Sequence, residues 1–453
     1  MPIEISLLAT TNQPPLTLTS HAAKTCYQAE PPQWGELIDV EKNLFATGHH
    51  TTLQHFFCTF HIEGIAVGDI TLGLHLCSPF YNSDQRSGRF CGMMFERPNF
   101  AQIKRYIKKF WPQITPGQLT NIITYIKQGV SLYHQNIGPA TTVTEKFIRH
   151  DRPLATGSYI AQNAPKIAQE QLRMFIPVIF PTGFDFTVNL TALAAMHAAA
   201  WTPVMRFATQ KMVALLLEQH PELAFMFNQK GKNDWAPALP SAARLKNKTA
   251  PGFRLLGISD TRGFIPPQPA HTHPLDLLYF LPNYMNNFWG KITTEVEISL
   301  ATMGQDQRHR TIGRSQPQFT GNFYLPPVIR ALGLHHKALA LMRRWLKVSR
   351  SLPPTLAMVL APYGAMVRYK KVGSLNAVAH EQGKRLCWCA QQEIYEAGRR
   401  LRQAIGKRGA KNLLPMLEPV CFRTGRCGEG RRYCGRDIRL REKGEVYFPS
   451  RRV

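Results

Sequence analysis

The chain has 453 residues and carries 55 Lys+Arg against 29 Asp+Glu, a formal charge of +26, which favours anionic partners: nucleic acid, nucleotides, phosphorylated cofactors or an anionic membrane surface. Hydrophobic content of 44% fits a soluble globular protein, and the length exceeds one ordinary core, so two or three domains are expected. No signal peptide, membrane span or secreted disulfide framework is expected from the pattern: no long apolar run, and nine cysteines at uneven spacings, so a reduced, cytoplasmic protein is the expectation.

In chain order, Ile3 to Leu8 reads as a strand, HAAKTCYQA as a helix-prone stretch, and Trp34 to Thr47 as an amphipathic segment stopped by Gly48. FFCTFHIEGI is rich in aromatic and β-branched residues and reads as a strand. His49, His50, His55 and His61 match no metal spacing, and no acidic or cysteine ligand completes a set. A structural or cofactor-contacting role is therefore the reading for His55. Residues 66 to 97 read as a helix followed by a polar loop with Asp84, Arg86, Ser87, Gly88 and Arg89. A hydroxyl, a glycine that admits close backbone approach and a guanidinium make a usable phosphate cradle, although any basic turn looks similar. Residues 100 to 165 are helical in texture. Glu170 and Arg173 then stand three apart before an apolar run broken by Pro177 and Pro181; as a surface ion pair they would contribute little. Asn189 can cap the alanine-rich helix that follows, which reads as a packed helix.

Residues 229 to 252 are polar, with Lys, Pro and Gly, and read as an inter-domain connection. Beyond them the first half recurs in outline. Ser87-Gly88-Arg89-Phe90 corresponds to Thr320-Gly321-Asn322-Phe323, and Ala66 to Ser299, both 233 positions on. Pro177 corresponds to Pro362 and Asn189 to Ser374, both 185 positions on. Constant offsets joined by one length change indicate a duplicated, diverged domain. The fold expected is α/β (α+β), two similar tandem domains, each a twisted β-sheet flanked by helices, arranged as a pseudo-dimer. Their ranges are 1–235 and 236–420, with a basic, Cys-containing tail over 421–453.

The densest group of donors lies in the second half. Gln305, Arg308 and His309 sit at helical spacings of three and four, which would put them on one helix face, and Arg310 follows. Two guanidinium forks flanking a histidine suit phosphate or carboxylate oxygens, although an arbitrary R-H-R is a solvated helix tip. Cys421, Cys427 and Cys434 lack a C-x-x-C pair, so a structural tail packing on its own domain is the reading there.

Gln305 with Arg308-His309-Arg310, the strand CTFHIEGI after GHHTTLQH, Ser87-Gly88-Arg89-Phe90 and the late Ala390 to Ile394 (AQQEI) together resemble the flavin-dependent thymidylate synthases, once per half. In that family one domain per chain forms a homotetramer whose active sites lie at subunit contacts. The halves here depart from the pattern in complementary ways. His75-Leu76-Cys77 stands where the family has R-H-R, and Thr320-Gly321-Asn322 where it has S-G-R; Thr355 and Met358 stand where Glu170 and Arg173 match. The resemblance implies that Ser87, Gly88, Arg89 and Arg173 bind the nucleotide together with Gln305 and Arg385, and that Arg385, beside the pyrimidine, is the catalytic group. It implies FAD held by Arg308, His309 and Arg310, with His55 and Glu170 also on the cofactor side. The activity implied is reductive methylation of dUMP to dTMP, with NADPH and methylenetetrahydrofolate as co-substrates, in a homodimer imitating the tetramer. The alternative is a catalytically silent paralogue that binds nucleotide or nucleic acid through its basic surface, which rests on charge alone.

Overall fold

The computed structural model describes residues 3–77, 80–89, 91–229, 234–259, 261, 263–268, 277–430, 433–439 and 448–453. Phe90 of the S-G-R-F motif lies outside them.

Alternating burial along β2 (Phe57–Ala66) shows how the first sheet forms: one face meets the core and the other is open. Its antiparallel partners are β1 (Glu4–Thr10) and β4 (Pro181–Asn189), with β3 (Tyr81–Gln85) on the far side of β4, giving the order β1-β2-β4-β3. The second sheet comprises β5 (Lys246–Lys248), β6 (Gly252–Ile258), β7 (Lys291–Ser299), β8 (Gly313–Arg314), β9 (Gln318–Tyr324) and β10 (Ala365–Ser374). Its run β6-β7-β10-β9 repeats the first order, with β8 also on β10. The connecting segment is not merely a linker, because its β5 pairs in parallel with β9.

Matching positions form matching bonds. Asn189 and Ser374 cap the helices after β4 and β10, accepting from the N–H of Ala192 at 2.8 Å and of Ala377 at 3.2 Å. Gly68 N–H donates to the Val178 carbonyl at 2.7 Å, and the corresponding Ala301 N–H donates to Tyr363 at 3.1 Å. Between the halves, Val178 N–H donates to Ala361 at 2.9 Å while Tyr363 N–H donates to Ile176 at 2.8 Å. Exchanging each residue for its counterpart turns one of these bonds into the other. The antiparallel bridge Pro177–Pro362 therefore sits on a local twofold axis. One break in the likeness is a bulge in β2 between Glu63 and Ile65, where Gly64 takes φ +82°, a conformation glycine adopts without penalty.

A 36-residue helix, Pro116–Asp151, spans the join. It starts at a capping box between Thr115 and Gln118 with Pro116 in its first turn. Tyr125 Oη on it donates to the Leu360 carbonyl at 2.8 Å, and Trp111 Nε1 just before it donates to Thr355 Oγ1 at 2.9 Å. The apolar core is continuous from Ile3 to Val453 and takes side chains from both halves, with the Phe175 and Phe323 rings stacked 5.9 Å apart. The halves meet through an interior.

Some sequence expectations are corrected. Of Trp34 to Thr47 only Glu41–Phe45 is helical, since Gly35 at φ +98° interrupts the segment. The C-terminal tail does not pack only on its own domain: Arg452 pairs with Asp151 at 2.6 Å and its carbonyl accepts from Gln171 Nε2 at 2.9 Å, both in the first half. Burial of Val453 holds that strap down. Among the described residues no helix is long and apolar enough to cross a membrane.

Gly129 tests the packing of the long helix. A Cβ there would lie 2.3 Å from the Phe175 carbonyl oxygen, whereas one on Gly117, in the same helix, would meet nothing within 4 Å. Gly129→Ala should cost about 1–3 kcal/mol through overpacking, while Gly117→Ala should be neutral or stabilise by up to ~1 kcal/mol. Thermal unfolding of the two variants checks the opposite signs.

Candidate functional site

From β3 the chain leaves the first sheet as the loop Arg86–Arg89. Arg86 N–H donates to the Gly183 carbonyl at 2.9 Å, and its guanidinium pairs with Glu63, so Arg86 holds the loop to the sheet. Ser87 Oγ accepts from Arg89 N–H at 3.3 Å, and the Gly88 carbonyl accepts from Gln169 Nε2 at 3.1 Å. Gly88 sits close to its neighbours: a Cβ would lie 3.3 Å from Arg173 Nη1 and 3.4 Å from the Phe95 ring. Arg89 binds the buried Glu170 carboxylate through Nε and donates from Nη2 to the Cys389 carbonyl at 3.0 Å. Glu170 and Arg173 are thus no surface pair. Both are buried, and Glu170 serves Arg89 instead.

Arg173 points across the join. Its Nη2 donates to Gln391 Oε1 at 3.0 Å and to the Ala301 carbonyl at 3.4 Å, and its guanidinium lies 5.1 Å from the Tyr363 ring centroid. Burial lowers its pKa, with Tyr363 and Glu170 acting the other way.

The second half reaches the same place from Leu300–Asp306, a helix capped by Ser299. The sequence pattern would continue this helix through His309, but it stops at Asp306. Arg308 N–H bonds to Gln305 at 3.3 Å and His309 N–H to Asp306 at 3.2 Å, a tight turn. The stop has a cause: the buried Asp306 carboxylate is taken by Arg314 at 2.6 Å, Lys371 at 2.5 Å and Tyr369 Oη at 2.8 Å. Burial alone would raise its pKa, yet Arg314 and Lys371 hold it well below the usual range.

The turn sends its side chains in different directions. Gln305 faces inward and its Nε2 donates to Gln391 Oε1. Arg308 is exposed, with no partner for its guanidinium among the described residues. His309 is buried beside His380, ring centroids 5.4 Å apart, and burial with Arg385 nearby lowers its pKa well below normal. Arg310 crosses to β3, donating to Asn82 Oδ1 at 2.7 Å with its guanidinium 4.5 Å from the Tyr81 ring centroid.

Arg385, at the end of the helix Leu375–Arg385, donates from Nη2 to the Gln305 carbonyl. Burial lowers its pKa to about 10, and Arg89 and Arg308 add to this against Glu381 and Asp306. Arg89 and Arg173 from the first half thus share one neighbourhood with Gln305, Arg308 and Arg385 from the second. Gln391 joins them: its Oε1 accepts from both Arg173 and Gln305, and its Nε2 donates to Thr302 Oγ1 at 3.0 Å. Within AQQEI nothing local marks Gln391 for this role, which depends on contacts that no short spacing announces. Several buried polar atoms around the cluster have no partner among the described residues: Gln305 Oε1, Arg173 Nε, Arg385 Nε and His309 Nε2. Unpaired buried groups are costly, which fits a site shaped for a polar, anionic ligand.

The counterpart positions are quiet. His75, matching Arg308, lies 2.9 Å from Ser83 Oγ by its Nε2 and stacks on Tyr81; burial, then Arg310 and Arg308, lowers its pKa to about 3. Asn322, matching Arg89, donates to Glu297, and Met358, matching Arg173, is buried in the core. His55 does not join the cluster. It ends the turn His50–His55, exposed, at the far end of β2 from Ala66, roughly 30 Å away along a ten-residue strand. No group of His, Cys, Asp or Glu fit to hold a metal is present among the described residues.

Glu393 braces the cluster from behind. It accepts from Ser299 N–H at 2.7 Å, Ser299 Oγ at 2.5 Å and Thr302 Oγ1 at 2.6 Å, and burial raises its pKa to about 7 against those bonds. A carboxyl whose folded pKa is raised stabilises fully below its unfolded pKa of about 4.3 and loses that contribution as pH rises through about 7. Glu393→Gln removes this titration. Its stability relative to wild type should therefore improve by on the order of 3 kcal/mol between pH 4 and pH 8, read from urea unfolding at both pH values.

Residues 6–222 match the family described as thymidylate synthase complementing protein. No curated protein matches the sequence. Among solved structures, a crystal structure of thymidylate synthase X from Helicobacter pylori with FAD and dUMP is similar at 17% identity, covering 50% of this chain and 97% of that one, with a TM-score of 0.31. A second structure, flavin-dependent thymidylate synthase from the same organism complexed with FAD and dUMP, gives 18% identity, 51% and 100% coverage and a TM-score of 0.32. The family match covers 217 of the 453 residues, all of them in the first half.

Proposed function

We propose that the protein is a flavin-dependent thymidylate synthase that converts dUMP to dTMP by reductive methylation, at one composite site drawn from two duplicated halves. FAD is the cofactor, with NADPH and methylenetetrahydrofolate as co-substrates. The observation that carries this reading is the shared acceptor Gln391 Oε1, which ties Arg173 of the first half to Gln305 of the second, with Arg385 beside both Arg89 and Arg308. The family match over residues 6–222 supports the chemistry.

In this reading Ser87, the Gly88 backbone, Arg89 and Arg173 take the nucleotide phosphate. Glu170 orients Arg89 without neutralising the rest of the cluster. Gln305 and Arg385 meet the pyrimidine. The partly buried Arg385, already crowded by two cations, favours negative charge on that ring, an oxyanion-type contribution of about 2.7–4 kcal/mol in comparable sites. Arg308, His309 and Arg310 would hold the flavin, which when bound supplies hydride and carries the one-carbon unit. The residues suit a flavin: Arg308 offers a free guanidinium, buried His309 is neutral with its Nε2 unpaired, and Arg310 fixes the turn by its grip on Asn82. His55 is given no role within one chain in this reading, and the assembly expected is a homodimer.

Purified protein should be yellow, and tritium release from ring-labelled dUMP should require folate donor and reduced nicotinamide. Arg89→Ala and Arg308→Ala should each lower the rate by on the order of 10²–10³-fold. His75→Ala and Asn322→Ala, at the quiet counterparts, should change it less than about fivefold, since no transition-state contact is removed there. Equal losses at all four positions would sink the composite site, and colourless, inactive protein that binds nucleic acid would favour the silent paralogue.

A further inference from the structure

The segment between Arg385 and Gln391 decides where both of those side chains sit, and its carbonyls are held from four directions. Arg436 donates to Leu386 at 3.4 Å, Arg152 to Trp388 at 3.1 Å, Arg89 to Cys389 at 3.0 Å and Arg451 to Ala390 at 2.6 Å. Cys387 and Cys389 flank Trp388 in this segment. The Cys389 thiol is hydrogen-bonded with the sulfurs of both Cys387 and Cys434, the latter brought in by the C-terminal tail, and none of the three is in a disulfide. Arg436 closes the group, buried, with its guanidinium 4.7 Å from the Trp388 ring centroid and 4.1 Å from that of Phe422. Nothing in the proposed reaction uses these thiols.

We propose that Cys389 and Cys434 are an oxidation site that closes to a disulfide with hydrogen peroxide and thereby disturbs the nucleotide-binding Arg89. The effect on nucleotide rests on the function proposed above; the disulfide does not. The Cys389 hydrogen bond, with Arg152 and Arg436 nearby, lowers the Cys434 pKa to about 6 despite burial, whereas Cys389 is raised. Cys387 is lowered less, so of the three thiols Cys434 ionises most readily and reacts first. Its sulfur attacks one peroxide oxygen, the O–O bond breaks, and the departing hydroxide takes the Cys389 proton and leaves as water. The Cys389 thiolate then attacks the Cys434 sulfenic sulfur, the S–S bond forms, and the hydroxyl leaves as a second water with a proton from solvent. Two electrons pass from the sulfurs to peroxide, and the proton released when Cys434 ionised balances the one taken up.

Bond formation draws the sulfurs from hydrogen-bond contact to about 2.05 Å. Any part of that approach made by Cys389 shifts the residue whose carbonyl accepts from Arg89 Nη2. The Cys389 position is thus mechanically linked to the phosphate grip.

The test uses the full chain, reduced, treated with graded hydrogen peroxide and mapped as peptides without reduction. A Cys389–Cys434 cross-linked peptide should appear before any link to the exposed Cys26, and dithiothreitol should remove it. The dUMP affinity of the oxidised chain should fall about tenfold and return on reduction, while Cys434→Ser should bind like reduced wild type before and after peroxide. Absence of that cross-link from the wild-type map, or stoichiometric zinc or iron protecting the thiols, overturns the oxidation site. A complete cross-link with unchanged dUMP affinity overturns its coupling to Arg89. Failure of the reduced chain to bind dUMP counts against the proposed function instead, and the peptide map still decides the thiol chemistry.

Discussion

Two backbone hydrogen bonds, Val178 to Ala361 and Tyr363 to Ile176, fix the relation between the halves. They set Pro177 against Pro362 on the local axis, where neither proline has an N–H to satisfy. Everything near the join is measured from there. Arg173, four residues before Pro177, is carried against Ala301 and Tyr363 of the other half, and its counterpart Met358 is carried into the core. The symmetry is one of backbone. Because main-chain bonds hold it, side chains on either side can diverge without loosening the pairing.

That divergence has an energetic direction. Buried charges are costly unless geometry and hydrogen bonds satisfy them, and apolar replacement of a buried ionic group is often neutral or stabilising by about 1–4 kcal/mol. Around Gln391 the chain keeps buried polar groups and surrounds them with acceptors: carbonyls for Arg89, Arg173, Arg385 and Arg451, a carboxylate for Arg89. At the related place it has Met358 and Leu72, the latter matching Gln305, and both are buried in the core. One side of the axis keeps these polar groups. The other is plain packing, which offsets part of what the first side costs.

What could be read from the sequence was what local rules govern. Asn189 was legible as a cap because capping is a short-range bond, and the offset of 185 located Ser374 as its equivalent. The S-G-R loop and the R-H-R turn were legible as donor clusters from residue type alone. Legibility ended where a role depends on something distant in the chain. Periodicity carried the helix of Gln305 on to His309, but Asp306 is pulled into contacts with Arg314, Tyr369 and Lys371, and the helix stops. Gln391 had no signal beyond its place in AQQEI, since its partners lie 218 and 86 positions away. The same holds for the tail, whose Arg452 pairs with Asp151 at a separation of 301.

His75 shows how unlike residues at corresponding places suit each other electrostatically. It occupies the place of Arg308 in the first half, and Arg308 and Arg310 of the second half lie close enough to disfavour its protonation. An arginine at that place would set a further fixed cation against those two in a buried setting, where like charges repel far more than in water. A histidine escapes the conflict by staying neutral, and it does so while stacking on Tyr81, the ring that also receives the Arg310 guanidinium. A neutral residue on one side of the axis therefore relieves the electrostatic burden on the other. Arg308 and Arg310 thus face no fixed cation at position 75.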